Sequence, residues 1–182
     1  MISLTSSEPF GLLGLRSKPG IEEEVTRLYE EARDDLYRYS LTFGLSPGEA
    51  QEASQEVFLR LYTAMKKGEE IQNPRAWAFR VAHNLSLKIR AKQAPQLPFD
   101  LDLEARLAQD GPDPEHSLID KQRMLRVHQA IEGLSEQQKR CLFLRMEGLR
   151  YPEIAGVLGI SASTVGEFLR RAVTRLRKAS RE

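Results

Sequence analysis

Residues 161–171 carry Ser163, Thr164, Glu167, Arg170 and Arg171, side chains able to exchange hydrogen bonds with base edges and phosphates. Their spacing matters more than their types. Ile154, Ala155 and Leu158 give a preceding short helix an apolar face, Ala155 is small enough for a second helix to cross closely, and Gly159 can supply a left-handed helix end. Ser161 then caps the next helix. Val165, Leu169, Ala172 and Leu176 recur at spacings of four, three and four, so one stripe packs inward while Ser163, Gly166, Glu167, Arg170 and Arg171 lie toward solvent. The stretch 151–173 therefore reads as a helix-turn-helix, whose second helix enters the DNA major groove. The plain alternative is a helical hairpin buried in a bundle.

The charge distribution points the same way. The net charge is +1, yet from Ser135 to the end there are ten Lys or Arg against five Asp or Glu, leaving seventeen against twenty-one before it. Arg170, Arg171, Arg175, Arg177, Lys178 and Arg181 form a basic C-terminal helix able to neutralise phosphates; a solvated helix end would show the same residues. A second candidate surface lies upstream, where Arg80, Asn84 and Lys88 share a helix face with Trp77, Phe79 and His83 beside them. Cations interleaved with aromatics suit unstacked bases and single-stranded phosphates, although Trp77 alone serves equally well as core.

These residues need elements to hold them, and the helical period supplies those elements. Val25, Leu28, Tyr29, Ala32, Leu36, Tyr39 and Phe43 line one face of a helix over 22–43, ended by Gly44. Ser46-Pro47-Gly48-Glu49 starts the next as a capping box with proline in the first turn. That helix buries Ala50, Ala53, Val57, Leu61 and Met65 and shows Glu52, Gln55, Glu56 and Arg60, a face that simple solvation would also explain. After the polar loop 66–73, Pro74 opens a third helix with Ala78, Val81, Ala82, Leu85 and Ile89 inward. Residues 93–115 hold Pro95, Pro98, Pro112 and Pro114 among acidic residues, the composition of a tether, with a short helical turn over 101–108. The predicted fold is all-α: a loose tail at 1–20, a helical domain at 21–94, a flexible acidic linker at 95–117 and a helix-turn-helix domain at 118–182. With so few apolar anchors in the linker, the two domains are expected to move independently.

Composition excludes several classes. At 182 residues, 41% hydrophobic and 29% charged, the chain reads as a soluble globular protein without a membrane-spanning segment, a signal peptide or membrane insertion. The single cysteine, Cys141, excludes an internal disulfide and a cysteine metal cage and suits a reducing cytoplasm; flanked by Leu142 and Leu144, it reads as core. His83, His116 and His128 lack metal-ligand spacing, and no phosphate-binding loop follows a strand pattern. The expectation is a protein that is not an enzyme and needs no cofactor or metal.

The order of these parts carries a family resemblance. Leu36-Tyr-Arg-Tyr39, residues 49–60 (EAQEASQEVFLR) and residues 74–85 (PRAWAFRVAHNL) resemble the second conserved region of bacterial sigma-70 family sigma factors of the extracytoplasmic-function group. Residues 134–178 resemble their fourth region. The resemblance implies a protein that binds core RNA polymerase, lends it promoter specificity and helps open the duplex. It further implies that Glu52, Gln55 and Glu56 dock on the polymerase clamp. The loop 68–73 with Trp77, Arg80, Asn84 and Lys88 would capture the melted downstream element, while Ser163, Thr164, Glu167, Arg170 and Arg171 would read upstream duplex. An inhibitory anti-sigma factor is a further partner that the resemblance implies. Two departures stand out. Arg150 replaces the usual hydroxyl cap, so the capping box with Glu153 is expected to be lost, and Gly166 and Phe168 occupy familiar basic positions, with Glu167 between them. Two other functions fit parts of the pattern: a two-component helix-turn-helix regulator, though 22–92 shows no strand period, and a sigma-like adaptor without promoter reading.

Overall fold

In the computed structural model, residues 20–92 and 118–181 are described, with side chains in the second stretch described over 124–180. The expected tail, the acidic linker and the helical turn at 101–108 lie outside the described residues. Among these the secondary structure is entirely helical: α1 Ile21–Leu41, α2 Pro47–Lys66, α3 Pro74–Lys92, α4 Leu118–Glu132, α5 Glu136–Met146, α6 Tyr151–Leu158 and α7 Ala162–Arg181.

Local chemistry sets the boundaries. The Ser46 hydroxyl accepts from the Glu49 N–H at 3.4 Å and Glu49 returns a bond to the Ser46 N–H at 2.9 Å, the reciprocal cap expected at the start of α2. Ser135 and Gln138 repeat the device at α5. Asn73 caps α3, its Oδ1 accepting the Ala76 N–H at 3.0 Å.

In the N-terminal half, α1, α2 and α3 pack on one another around Leu36, Tyr39, Val57, Leu61, Phe79 and Ala82, all buried. In the C-terminal half α7 is the hub, lying against α4, α5 and α6 through Val165, Leu169 and Ala172. Cys141 is buried in this core, and burial pushes its thiol up to about 11.

In this structure the two halves pack against each other through one apolar core. The seam places α6 on α3. The Phe143 ring of α5 lies 5.4 Å from Tyr39 and 6.5 Å from Phe79, centroid to centroid. Arg140 places its guanidinium 4.2 Å above the Phe43 ring. Arg75 donates to Asp35 of its own half at 2.7 Å and to Glu147 of the other at 2.6 Å. The physical reason is that α5 has an apolar residue, Phe143, beyond what its own half can cover. The tether's composition says nothing of that face.

Candidate nucleic-acid and polymerase interfaces

The helix-turn-helix is built as its sequence predicts, with one correction. Glu153 still accepts the Arg150 N–H at 2.7 Å, so that half of the capping box survives without a hydroxyl residue. The Arg150 guanidinium closes onto the same carboxylate at 2.9 Å, and these hydrogen bonds hold Glu153 down to about 2. Gly159 ends α6 at φ 67°, the left-handed geometry that glycine adopts without steric cost. Ser161 then caps α7 by accepting the Thr164 N–H at 3.1 Å.

On α7, Ser163, Glu167, Arg170 and Arg171 are exposed and Thr164 is half-buried, so the predicted reading residues share an accessible edge. Glu167 is not a lone carboxylate, because Arg171 one turn later donates to it. The pair is neutral as a unit, which removes the repulsion from phosphates that Glu167 alone would bring. Gly166 faces Tyr151, whose ring carbon lies 3.4 Å from where a Cβ would sit, an ordinary contact that a side chain can accept. Farther along, Arg170, Arg171, Arg175 and Lys178 border an open groove of about 720 Å³ against Gln129 and Gln138 of α4 and α5.

The two surfaces of the N-terminal half differ in accessibility. On α2, Glu52 and Gln55 are exposed and Glu56, half-buried, pairs with Arg60 at 2.7 Å. Sequence reasoning missed Leu59 beside them, 63% exposed despite being a leucine in the middle of a well-formed helix. The signal was present: Leu59 falls outside the inward stripe of Ala53, Val57, Leu61 and Ala64. Leu59 shares its groove with Glu56, Arg60 and Lys67.

Along α3 the predicted set splits. Asn84 and Lys88 are exposed. Trp77 is half-buried and forms the wall between a groove of about 550 Å³, shared with Leu59, Lys67 and Val81, and a cleft of about 490 Å³ at the seam. Arg80 is exposed as well, and its guanidinium lies where a side chain on Gly156 of α6 would stand. Asn73, at the end of the predicted capture loop, donates to Glu153 at 2.8 Å. His83 does not join the surface its sequence position suggests. It is buried, sharing a 3.0 Å hydrogen bond between Nδ1 and the Tyr39 hydroxyl, and burial, with the Arg140 guanidinium nearby, pushes it down to about 4. Burial raises the Tyr39 hydroxyl well above its ordinary range, so both groups are neutral at pH 7. A period of 3.6 puts His83 near Arg80; only the packing of α1 on α3 turns it inward.

No described helix is long and apolar enough to cross a membrane, and among the described residues no group of three or more His, Cys, Asp or Glu could hold a metal ion. Residues 28–95 match the model of sigma-70 region 2, and residues 124–176 that of sigma-70 region 4. The RNA polymerase sigma-H factor of Pseudomonas aeruginosa is 31% identical over 144 residues, covering 72% of each chain. The ECF RNA polymerase sigma factor SigW of Bacillus subtilis is 23% identical over 91% of this chain and 93% of its own. Among solved structures, the sigma factor RpoE of Bartonella quintana, crystallised with the anti-sigma factor NepR, aligns over 86% of this chain and 96% of its own. Its TM-score is 0.55 at 18% identity, a likeness of fold.

Proposed function

Since the chain belongs to the extracytoplasmic-function group of the sigma-70 family, we propose a division of labour among its surfaces. The protein is an alternative sigma factor: it binds core RNA polymerase and directs promoter recognition and transcription initiation, while the polymerase performs the chemistry. Glu52, Gln55 and Glu56, with Leu59 added, form the polymerase-docking face. The acidic rim sets orientation and Leu59 supplies apolar burial.

Trp77, Arg80, Asn84 and Lys88, with the loop 68–73, take the melted downstream promoter strand. Pulling a base out of the stack costs roughly a few kcal/mol, which contacts to the extruded base offset. The α7 edge of Ser163, Thr164, Glu167, Arg170 and Arg171 reads the upstream element as duplex, and the basic groove beyond it takes phosphates. Of the two residues behind the adaptor alternative, Gly166 and Glu167, the second is paired with Arg171, which supports a DNA-facing role for this edge.

One observation carries the reading: a capped helix-turn-helix with an open polar edge shares a chain with a three-helix half bearing an acidic face around an exposed leucine. An anti-sigma factor is the natural regulatory partner, and the cytoplasm the place of action. Co-purification with core polymerase followed by run-off transcription tests the whole. Specific transcripts that appear only when the chain is added are the expected result, and a chain that neither binds polymerase nor redirects it overturns the assignment.

A further inference from the structure

At the seam between the halves lies a cleft of about 490 Å³, within the roughly 300–1,000 Å³ typical of small-ligand pockets, which favour the junction of two packed units. Trp77 and Arg80 line it from α3, Ile71 and Gln72 from the preceding loop, and Pro152 from α6. Trp77 is half-buried, while Gln72 and Arg80 are exposed. The Gln72 and Arg80 side chains make no hydrogen bond or ion pair among the described residues. An aromatic ring, a guanidinium and an amide thus border one space with their bonding capacity unspent. The Arg80 guanidinium is nonetheless placed, because it stands where a side chain on Gly156 would be.

The spacing selects a ligand. Trp77 and Arg80 are three positions apart on α3, which puts the indole and the guanidinium side by side on one face of the helix, roughly 5–6 Å apart at Cβ. In a nucleotide the base and the 5′-phosphate are held apart by a single ribose. A base lying on Trp77 therefore brings its phosphate to Arg80, whose planar fork matches phosphate oxygens, and Gln72 can both donate to and accept from the base edge. Charge limits the number of phosphates. Of the lining carboxylates, Glu153 is neutralised by Arg150 at 2.9 Å, and Glu70 stands exposed. This balance suits a monophosphate, since a triphosphate would bring more negative charge than Arg80 answers.

We infer that the cleft binds a free nucleoside monophosphate, with the base on Trp77, the phosphate on Arg80 and Pro152 of α6 closing the opposite side. Because α6 completes the site, it is distinct from the strand-reading role given above to α3 and does not depend on it. A ligand that binds only the chain with α6 in place stabilises that packed form by mass action.

The test uses the full-length chain. Trp77 is its only tryptophan, so a base stacking in the cleft is read directly as quenching of its emission. Adenosine 5′-monophosphate should quench saturably and raise the melting temperature. Adenosine, and ribose 5-phosphate as a competitor, should each bind at least about tenfold more weakly, as expected for loss of a charge-assisted hydrogen bond or of base stacking. Arg80→Gln should weaken the monophosphate by about tenfold and leave adenosine unchanged. Pro152→Glu, at the start of α6 where a carboxylate favours the helix, should weaken it comparably from the opposite side, with folding checked by circular dichroism. Absence of saturable quenching overturns the inference, and so does adenosine or inorganic phosphate binding as tightly as the monophosphate. Wild-type affinity in folded Pro152→Glu would place the ligand on α3 alone and overturn the two-sided cleft. Binding of a single-stranded oligonucleotide without binding of the monophosphate overturns the inference and leaves the strand-reading role standing. Monophosphate binding without strand binding supports the inference and tells against that role.

Discussion

The two surfaces proposed for nucleic acid are made differently. The edge of α7 is set largely by local pattern: Val165, Leu169 and Ala172 bury one face, Ser161 caps the start, and Ser163, Glu167, Arg170 and Arg171 are exposed. The surface of α3 meets the other half at one end, where Arg75 donates to Glu147 and Asn73 to Glu153, while Arg80, Asn84 and Lys88 are exposed. A duplex-reading helix can be assembled from 30 residues of local pattern, whereas the availability of the strand-reading helix is a property of how two distant segments pack.

The strongest way to break this comparison is to remove the aromatic plug of the seam. Phe143→Ala deletes a ring that touches Tyr39 and Phe79 across the halves, and a buried phenylalanine truncation costs about 3–5 kcal/mol. Urea unfolding followed by circular dichroism should show that loss together with a split into two transitions, since the halves no longer share a core. A single transition with an unchanged midpoint would mean that the seam contributes nothing to stability.

The docking face should respond to a lesser degree. Glu52→Lys with Glu56→Lys reverses its rim, and Leu59→Ala removes its apolar centre. Each change is expected to weaken binding to core polymerase by about 1–2 kcal/mol, as measured by competition with a labelled sigma factor. Because this face lies away from the seam, strand binding by the free chain should not change. An effect on both would tie the two surfaces together and blunt the contrast.

A smaller signature comes from pH. His83 is held to about 4 by burial and by Arg140, whereas in the unfolded chain it titrates near 6.5. The unfolded state therefore binds more protons between these values, so this group makes stability rise with pH from about 4 to 6.5 and level off above. Proton NMR of the His83 ring should give its low midpoint, and Glu147→Arg should move that midpoint upward as Arg140 withdraws with its half. An unmoved midpoint in an expanded variant would assign the whole shift to the N-terminal core.

The smallest expected effect is at Glu167. The ion pair with Arg171 is exposed, and such pairs are worth about 0–1 kcal/mol. Glu167→Gln frees Arg171 and removes a negative charge, so binding to unrelated duplexes should tighten by less than about 1 kcal/mol, with a steeper dependence on salt. A loss of affinity confined to one class of duplex would instead show Glu167 accepting from a base, a specific contact worth roughly 1–3 kcal/mol.

Much of this protein is legible in local sequence. Ser46-Pro47-Glu49 and Gly159 with Ser161 mark helix ends by chemistry that acts over a few residues, and both marks are realised. The stripes ending in Leu61, Ala82 and Ala172 give the inward faces for the same reason, since a helix repeats every 3.6 residues whatever it packs against. Leu59 was readable as a leucine off its stripe. His83, Arg75 and Phe143 were not readable, because each is decided by a partner 44 to more than 100 positions away: Tyr39 for the histidine, Glu147 for the arginine, Tyr39 again for Phe143. Sequence period says that a face is apolar or charged and is silent on what will cover it. Tertiary packing alone decided that the strand-reading helix and the helix-turn-helix lean on each other, because burial and ion pairing act through space and leave no local trace.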